Sequence, residues 1–362
     1  MRSQAAGALL LAFSVAAAAA DPAPAHWHFG CAGQDRHADA EAQNQRGVDS
    51  LRLLYENDMF SAHRLLYKDG GSDRWYTDGI KAVAMLCPVK ARDDTLSKAL
   101  AWFLPEGDRQ FGYTFGQLMF TPENVSLTTP QPNDRFWAGY LFVGAVAQVN
   151  HAASVDSLEL DLGVIGPPAL GEEAQTLIHK IRGFDLPNGW GNQMKTEPTL
   201  NLHYLSMYRG LPRFALGKNL NFDATPHYGG AAGTVYDYAN AGVTFRIGDD
   251  LSPAPAGTIE IPSLGGVRRL DHRWDLFVRF DLRASVHNAF VDSGLLRGEP
   301  HPTNVKGKPF TYQINRGLTF ENKGWRATLM FNRRSREFNN VPGTRSVHSF
   351  GTINLEYQFP LR

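Results

Sequence analysis

Beyond residue 50, apolar and polar side chains alternate along much of the chain. In the run 273–287, every second residue from Trp274 to Val286 is apolar, and the residues between them include Asp275 and Arg279. Successive side chains of a β-strand point to opposite faces, so this period of two predicts strands with one apolar and one polar face.

About twelve such runs can be counted. Strands of soluble sandwiches are usually about 5–6 residues long, whereas a strand that crosses a membrane in a barrel needs about 9–11. Several runs reach the longer length, and their second face carries full charges, as a wet barrel lumen would. We therefore predict an all-β protein, a twelve-stranded antiparallel transmembrane β-barrel, with a soluble periplasmic sandwich as the alternative. The predicted strands are 50–59, 77–87, 110–120, 136–149, 155–165, 199–208, 212–222, 231–247, 273–287, 309–320, 324–335 and 347–359.

An even number of strands places both ends of a barrel on the periplasmic side, which fixes the connections that face outward. Two of the periplasmic connections, 88–109 and 248–272, are long for such turns, whereas 209–211 and 321–324 are predicted to be short turns. The predicted outer loops are 60–76, 121–135, 166–198, 223–230, 288–308 and 336–346.

The N-terminus predicts the compartment. Met1 and Arg2 precede an apolar run that ends in five alanines, a pattern typical of a secretory signal peptide. We expect a signal peptide over 1–20, a periplasmic N-terminal arm over 21–48 and an outer-membrane barrel domain over 49–362. No later stretch has the apolar length that a transmembrane helix needs.

Charge and cysteine content narrow the class further. The chain has 36 Lys and Arg against 36 Asp and Glu, and this balance argues against nucleic-acid binding, which requires a basic face. Its two cysteines cannot form a four-thiolate zinc site. Cys31 and Cys87 are both predicted on the oxidising periplasmic side, either as a disulfide or as two free thiols.

Four polar segments, 55–60, 73–79, 133–139 and 166–180, fall at the predicted outer rim. The fourth predicts a short helix inside a long extracellular loop, because acidic residues follow a Gly-Pro-Pro opening and a glycine can end it. Its apolar stripe is expected to pack against the barrel, with the polar face directed away. The stripe comprises Ala174, Leu177, Ile178 and Ile181, and the polar face includes Gln175 and His179.

In the first strand, Asn57 shares the phase of the lipid-facing side chains and Asp58 that of the lumen. An asparagine in the lipid phase suits either a site on the outside of the wall or an Asx turn that starts the loop. The motifs of soluble hydrolases and of phosphate-binding loops are absent from the sequence. The candidate chemistry that remains is general-base catalysis by a histidine such as His179. The acidic and amide oxygens nearby are ligands that suit calcium.

These motifs resemble those of the lipid A deacylase family of Gram-negative outer membranes. The similarity extends from about residue 49 to the end of the chain. The segments that carry it are 56–60, 73–79, 134–139, 166–180, 188–193, 334–338 and the final strand with Gly351.

The resemblance implies a twelve-stranded barrel with its active site between the wall and a loop helix. It also implies calcium-dependent hydrolysis of the ester that holds the 3′-linked acyloxyacyl chain on lipid A. His179 would be the general base, and Asp58 the metal ligand or the group that orients the histidine. The positions that match the family's catalytic residues are His179, Gln175, Asn57, Asp58 and Thr77.

The family's basic pair near the third outer motif is half present. Arg135 matches and is expected to meet a lipid A phosphate, whereas Asp134 replaces the preceding basic residue. We therefore expect a monomeric outer-membrane esterase that acts on lipid A in the outer leaflet. Its binding of the substrate's phosphate is expected to differ from that of the family. A non-catalytic pore or structural barrel and an outer-membrane phospholipase are the alternatives.

Overall fold

A computed structural model describes residues 28–31, 47–60, 75–88, 108–151, 153–209, 211–249, 251, 257–262, 272–296, 303–339 and 347–360. The predicted signal peptide and most of the predicted N-terminal arm lie outside these residues, as does most of the connection 88–109. In the described segments, no helix is long and apolar enough to cross a membrane.

Twelve long strands build the described part of the chain, and two short ones lie beside them. In chain order the strands are β1 (His28–Phe29), β2 (Gly47–Asn57), β3 (Trp75–Leu86), β4 (Asp108–Thr121), β5 (Ala138–Asn150), β6 (Ser154–Ile165), β7 (Glu197–Tyr208), β8 (Phe214–Ala215), β9 (Asn221–Gly233), β10 (Tyr236–Gly248), β11 (His272–Asn288), β12 (Phe310–Asn322), β13 (Trp325–Ser335) and β14 (Val347–Gln358). Within the described residues, two α-helices follow outer strand ends, α1 (Gly171–Arg182) and α2 (Ala289–Asp292).

The sheet closes on itself through β2. This strand pairs antiparallel with β14 on one side, where Asn57 faces Gly351, and with β3 on the other, where Asn57 faces Asp78. The predicted closed, twelve-stranded antiparallel barrel is confirmed. We call the barrel end at which β2 finishes the outer rim, because an even strand count leaves the termini at the periplasmic end.

The two faces of the wall follow the alternation of the sequence. Along β11, Leu276, Phe280 and Leu282 are exposed on the outside, whereas Asp275 and Arg279 are buried in the lumen. Outward-facing apolar side chains provide the band that a membrane barrel presents to lipid. The charged face is satisfied internally by ion pairs, including Arg52–Glu356, Lys81–Glu159 and Arg246–Asp223.

Parts of the chain enter the lumen from both ends. At the outer rim, the Phe290 ring of α2 stacks on Phe120 with centroids 4.0 Å apart. From the periplasmic side, residues 257–262 rise into the barrel, where the Ile259 amide donates to Glu56 and Lys81 donates to the Ile259 carbonyl.

Glu260 anchors this inserted segment. Its carboxylate accepts two hydrogen bonds from Arg334, at 2.8 Å each, and one from Arg283 at 3.2 Å. Replacing Glu260 with alanine leaves two guanidinium groups buried together, so we expect the free energy of unfolding to fall by roughly 3 kcal/mol. Urea titration in detergent measures this change, and the exposed Glu173→Ala is the matched control. A loss no larger than that of the control would contradict the anchoring role.

The predicted boundaries are wrong around residues 209–247. The predicted outer loop 223–230 is the centre of β9, the predicted strand 212–222 contains only β8 and the start of β9, and residues 209–211 begin a longer connection. The glycines of β9 interrupt the alternation of apolar and polar residues, so this part of the strand was predicted as a loop. They are required because neighbouring strands approach closely: a Cβ on Gly229 would lie 2.3 Å from the Tyr204 carbonyl oxygen.

The N-terminal arm is fastened to the periplasmic end of the wall. Residues 28–29 pair parallel with the start of β2, and Cys31 forms a disulfide with Cys87, directly after β3. Of the two alternatives for the cysteines, the structure therefore has the disulfide.

Candidate active site

The outer loop between β6 and β7 lies against the outside of the barrel wall. Its first turn is held by Gln117, an outward-facing residue of β4 whose Nε2 donates to the Ala169 carbonyl at 2.6 Å. Helix α1 then begins at Gly171, which packs closely on Gly139 of β5 and on the Trp190 ring. The predicted short helix in a long extracellular loop is thus present, and it is docked on the lipid side of the wall.

The orientation predicted for this helix is wrong. Gln175 and His179 are 3% and 5% exposed and face the wall, whereas Leu177 and Ile181 are 58% and 71% exposed. In a soluble protein the apolar stripe of a helix would turn inward. Outside a membrane barrel, lipid lies on the far side of the helix, so the apolar stripe turns outward and the polar face is enclosed against the wall.

The helix crosses the wall from β5 towards β2. One ladder row joins Gly139 on β5, Met119 on β4, Asp78 on β3 and Asn57 on β2. The helix begins beside Gly139, and Arg182 at its end interacts electrostatically with Tyr55 of β2.

The positions of the two ends of α1 determine where His179 lies along the wall. Three strand spacings are about 14 Å, close to the roughly 16 Å that eleven helical residues rise. His179 is eight residues, or about 12 Å, beyond Gly171, and so lies over the outer ends of β3 and β2.

A backbone carbonyl fixes the ring of His179. Its Nδ1 lies 2.5 Å from the carbonyl oxygen of Asp185. A carbonyl oxygen can only accept, so Nδ1 carries the proton and, in the neutral ring, Nε2 carries the lone pair. The histidine is therefore held in the tautomer that a general base or a metal ligand requires.

Gln175 is positioned one turn before the histidine. Its Oε1 accepts a hydrogen bond of 2.7 Å from Trp190 Nε1, so this bond fixes the amide by its oxygen and does not use its NH₂ group. Trp190 also packs on Trp137, with ring centroids 5.1 Å apart. The two tryptophans form a rigid base beneath the first half of the helix.

Asn57 ends β2 on the outer face of the wall. Its Nδ2 donates to Asp78 at 2.7 Å, and Asp78 also accepts a hydrogen bond from Tyr55. Its Oδ1 accepts from the Met59 amide at 2.8 Å, which makes an Asx turn. Asn57 therefore starts an Asx turn, and it also belongs to a polar cluster on the outside of the wall.

Thr77 is placed by an irregularity of β3. The register between β3 and β4 shifts between Tyr76 and Asp78, so Thr77 is the additional residue of a bulge. It is buried, and its hydroxyl is hydrogen-bonded to the Thr121 hydroxyl at 2.7 Å. The bulge keeps Tyr76 in the lumen and Asp78 on the outer face.

Asp58 opens a short 3₁₀ turn directly after β2 and is buried. With Asn57 and Asp78 it gives this rim an all-oxygen donor set of the kind that calcium prefers. Among the described residues, no group of three or more His, Cys, Asp or Glu side chains has the arrangement of a metal site. A calcium ion at this rim would therefore need further oxygens to complete its coordination.

Arg135 and Asp134 lie apart from this cluster. The Arg135 guanidinium donates to the Phe290 carbonyl at 3.1 Å and lies over the Phe120 ring, and the residue has no exposed surface. Burial lowers the pKa of Arg135, despite nearby Glu337, and burial also raises the pKa of Asp134. Arg135 braces the inside of the rim and, placed there, offers no surface to a lipid phosphate.

Asp134 organises the loop around it. Its carboxylate accepts hydrogen bonds from the Trp75 indole and from the backbone amides of Glu123 and Arg135. A basic residue could not accept these three bonds. The departure from the family's basic pair therefore suits the local structure.

The structure adds four positions that the sequence analysis did not single out. Asp78 and Thr121 bind predicted site residues, Gln117 holds the loop, and the Asp185 carbonyl orients the histidine. The sequence does contain a signal for Gln117, because this polar residue occupies a position of its strand that faces the lipid. The sequence contains no signal for the role of Asp185, since every residue type has a backbone carbonyl.

The closed wall and the enclosed polar cluster on its lipid side define an outer-membrane β-barrel whose candidate active site lies outside the lumen. The chain belongs to the family of the outer membrane protein LpxR, whose family model matches residues 8–359. It is therefore an outer-membrane protein of a family with a lipid A-related function.

The fold is supported by one solved structure, and a second match is reported beside it. The barrel is similar to LpxR from Salmonella typhimurium, with a TM-score of 0.68 and 19% identity over 86% of this chain and 100% of that chain. The β-domain of the Bordetella autotransporter BrkA gives a TM-score of 0.39 and 10% identity over 86% of this chain and 99% of that chain. No curated protein matches the sequence.

Proposed function

We propose that this protein is an ester hydrolase that removes the 3′-linked acyloxyacyl chain from lipid A, with His179 as the general base and calcium as cofactor. The observation that carries the proposal is the enclosed position of His179, with Nδ1–H held by the Asp185 carbonyl at 2.5 Å. A membrane lipid can reach a base on the lipid side of the wall without entering the lumen.

In this mechanism His179 Nε2 takes a proton from water as the water oxygen attacks the ester carbonyl. The bond between the carbonyl carbon and the sugar oxygen then breaks, and the sugar oxygen takes the proton from His179 Nε2, which gives a free sugar hydroxyl, an acyloxyacyl fatty acid and the neutral histidine. Gln175, Asn57 and Thr77 carry the amide and hydroxyl groups that can orient the water or stabilise the oxyanion. Calcium, held by Asp58 and further oxygens, would add positive charge at the oxyanion.

Mass spectrometry of lipid A tests the reaction directly. Purified protein in detergent is incubated with hexa-acylated lipid A, and the products are compared with those from glycerophospholipid vesicles. We expect lipid A to lose the mass of one acyloxyacyl group and glycerophospholipid to stay intact. Cleavage of glycerophospholipid alone would instead favour the phospholipase alternative.

Removal of calcium is expected to stop the reaction. Charge stabilisation of an oxyanion by a bound cation is worth several kcal/mol, so EGTA should reduce the rate by about 100-fold or more. Added calcium should restore the rate, and Asp58→Asn should raise the calcium concentration needed for half-maximal activity. EGTA with excess magnesium controls for a general divalent-ion effect. Full activity in EGTA would remove calcium from the proposal.

A further inference from the structure

Two arginines interrupt the lipid-facing surface of the wall. Arg316 on β12 and Arg333 on β13 are both exposed, in the outward phase of strands whose other charged residues, such as Glu321 and Arg334, are buried in the lumen. Their outward neighbours in these strands are Leu318, Leu329 and Phe331. A lipid-facing arginine destabilises a barrel strongly at the bilayer midplane and less towards the interfaces, so an exposed pair calls for a functional explanation.

The two guanidinium groups can reach a common point. Ile314 pairs with Arg333 and Arg316 pairs with Phe331, so the two arginines are diagonal neighbours on adjacent strands. Diagonal pairs lie about 7–8 Å apart, within reach of long side chains. Among the described residues, neither arginine forms a salt bridge, so the network of ion pairs that neutralises the lumen does not extend to them.

The pair is continuous with the candidate active site. The ladder row that carries Asp78 and Asn57 continues to Gly351 on β14, Phe331 on β13 and Arg316 on β12. Arg316 is therefore three strands, about 14 Å, from Asn57. Between them Phe60 covers Gly351, where a Cβ would lie only 2.5 Å from the Phe60 Cβ. An apolar surface thus separates the two polar ends.

We infer that Arg316 and Arg333 bind a phosphate group of a phosphorylated lipid in the outer leaflet. Two guanidinium forks match phosphate oxygens geometrically, and a shared anion relieves their mutual repulsion. Arg316 lies six residues below the outer end of β12, and a long arginine side chain can extend its charged group from such a position towards the headgroups. The apolar surface between the pair and Asn57 accommodates the hydrocarbon part of the same lipid.

The inference rests on the proposed function only for the identity of the lipid, which is lipid A. It gives the substrate's phosphate a binding site in place of Arg135, which is enclosed within the rim. A phosphate held about 14 Å from Asn57 would select which ester of the lipid reaches His179.

Binding is tested in a His179→Ala background, so that hydrolysis does not enter the measurement. Bis-phosphorylated and dephosphorylated lipid A are titrated in detergent, with native mass spectrometry as the readout. Arg316→Gln combined with Arg333→Gln is expected to weaken binding of the phosphorylated lipid about tenfold or more, because charge-assisted hydrogen bonds are lost. Binding of the dephosphorylated lipid should not change.

Lys218→Gln, at an exposed position in the periplasmic connection before β9, is the matched control. Gel mobility before and after heating confirms that each barrel is folded. Equal binding of the phosphorylated lipid by the double variant and the control would overturn the inference. Displacement of the lipid by equimolar inorganic phosphate would also overturn it, because the site would then recognise free phosphate. Arginine-dependent binding without any deacylation by the parent protein would reject the proposed function and leave this inference standing.

Discussion

Replacing His179 with glutamine is expected to reduce lipid A deacylation by about 10³-fold, since a positioned general base contributes roughly 10²–10⁴-fold. Glutamine keeps an N–H donor for the Asp185 carbonyl, to which His179 Nδ1 binds at 2.5 Å. It supplies no basic nitrogen in the place of Nε2. The rate is measured from the acyl chains released by purified protein and from lipid A spectra of cells that express the variant.

The control for this change is Lys180→Gln, at the next residue of α1. Lys180 is exposed and His179 is enclosed, so the control changes a charge on the same helical turn without entering the site. Both variants should retain the heat-dependent gel shift of a folded barrel. A His179→Gln protein that deacylates at the parent rate would show that another group is the base.

Replacing Gly171 with leucine is expected to lower deacylation by about 100-fold through displacement of α1. A Cβ at this position would lie 2.6 Å from the Trp190 ring, and the neighbouring Gly139 leaves no room on the wall side. The helix must therefore move outward, and a shift of about 1 Å at a catalytic group can cost 10²-fold in rate. Activity and heat-modifiable folding are measured on the same preparation.

Gly191→Leu provides the comparison within the same loop. Gly191 is exposed, and a Cβ there meets nothing within 4 Å, so the rate should stay near that of the parent. Equal rates for the two variants would mean that the seat of α1 on the wall does not set the position of His179.

The strand count and the closed barrel could be predicted from alternation alone. In a membrane barrel the two faces have opposite solvents, so each strand records its inside and outside in a period of two. The prediction failed at β9, where Gly229 and Gly230 approach neighbouring backbones. Small residues carry no hydropathy contrast, and the strand could not be distinguished from a loop.

The residues of the candidate site were proposed from the sequence, and the structure gives their helix a different orientation from the predicted one. The resemblance named His179 and Gln175, and the structure places both in one enclosed layer against the wall. The same helix was predicted with these residues facing away, because an amphipathic helix normally buries its apolar stripe. Which face is buried depends on whether lipid or water lies beyond the helix, and the helix sequence contains no information about that neighbour.

The sequence by itself determined the class of fold and the family, because both depend on residue types at fixed spacing, whereas it left the cysteines either bonded or free. Only the tertiary structure decided that Arg135 lies inside the rim while Arg316 and Arg333 face the lipid. It alone also decided that the Asp185 carbonyl fixes the tautomer of His179. These facts depend on which strands and loops become neighbours when the barrel closes, and closure joins residues that are far apart in the chain.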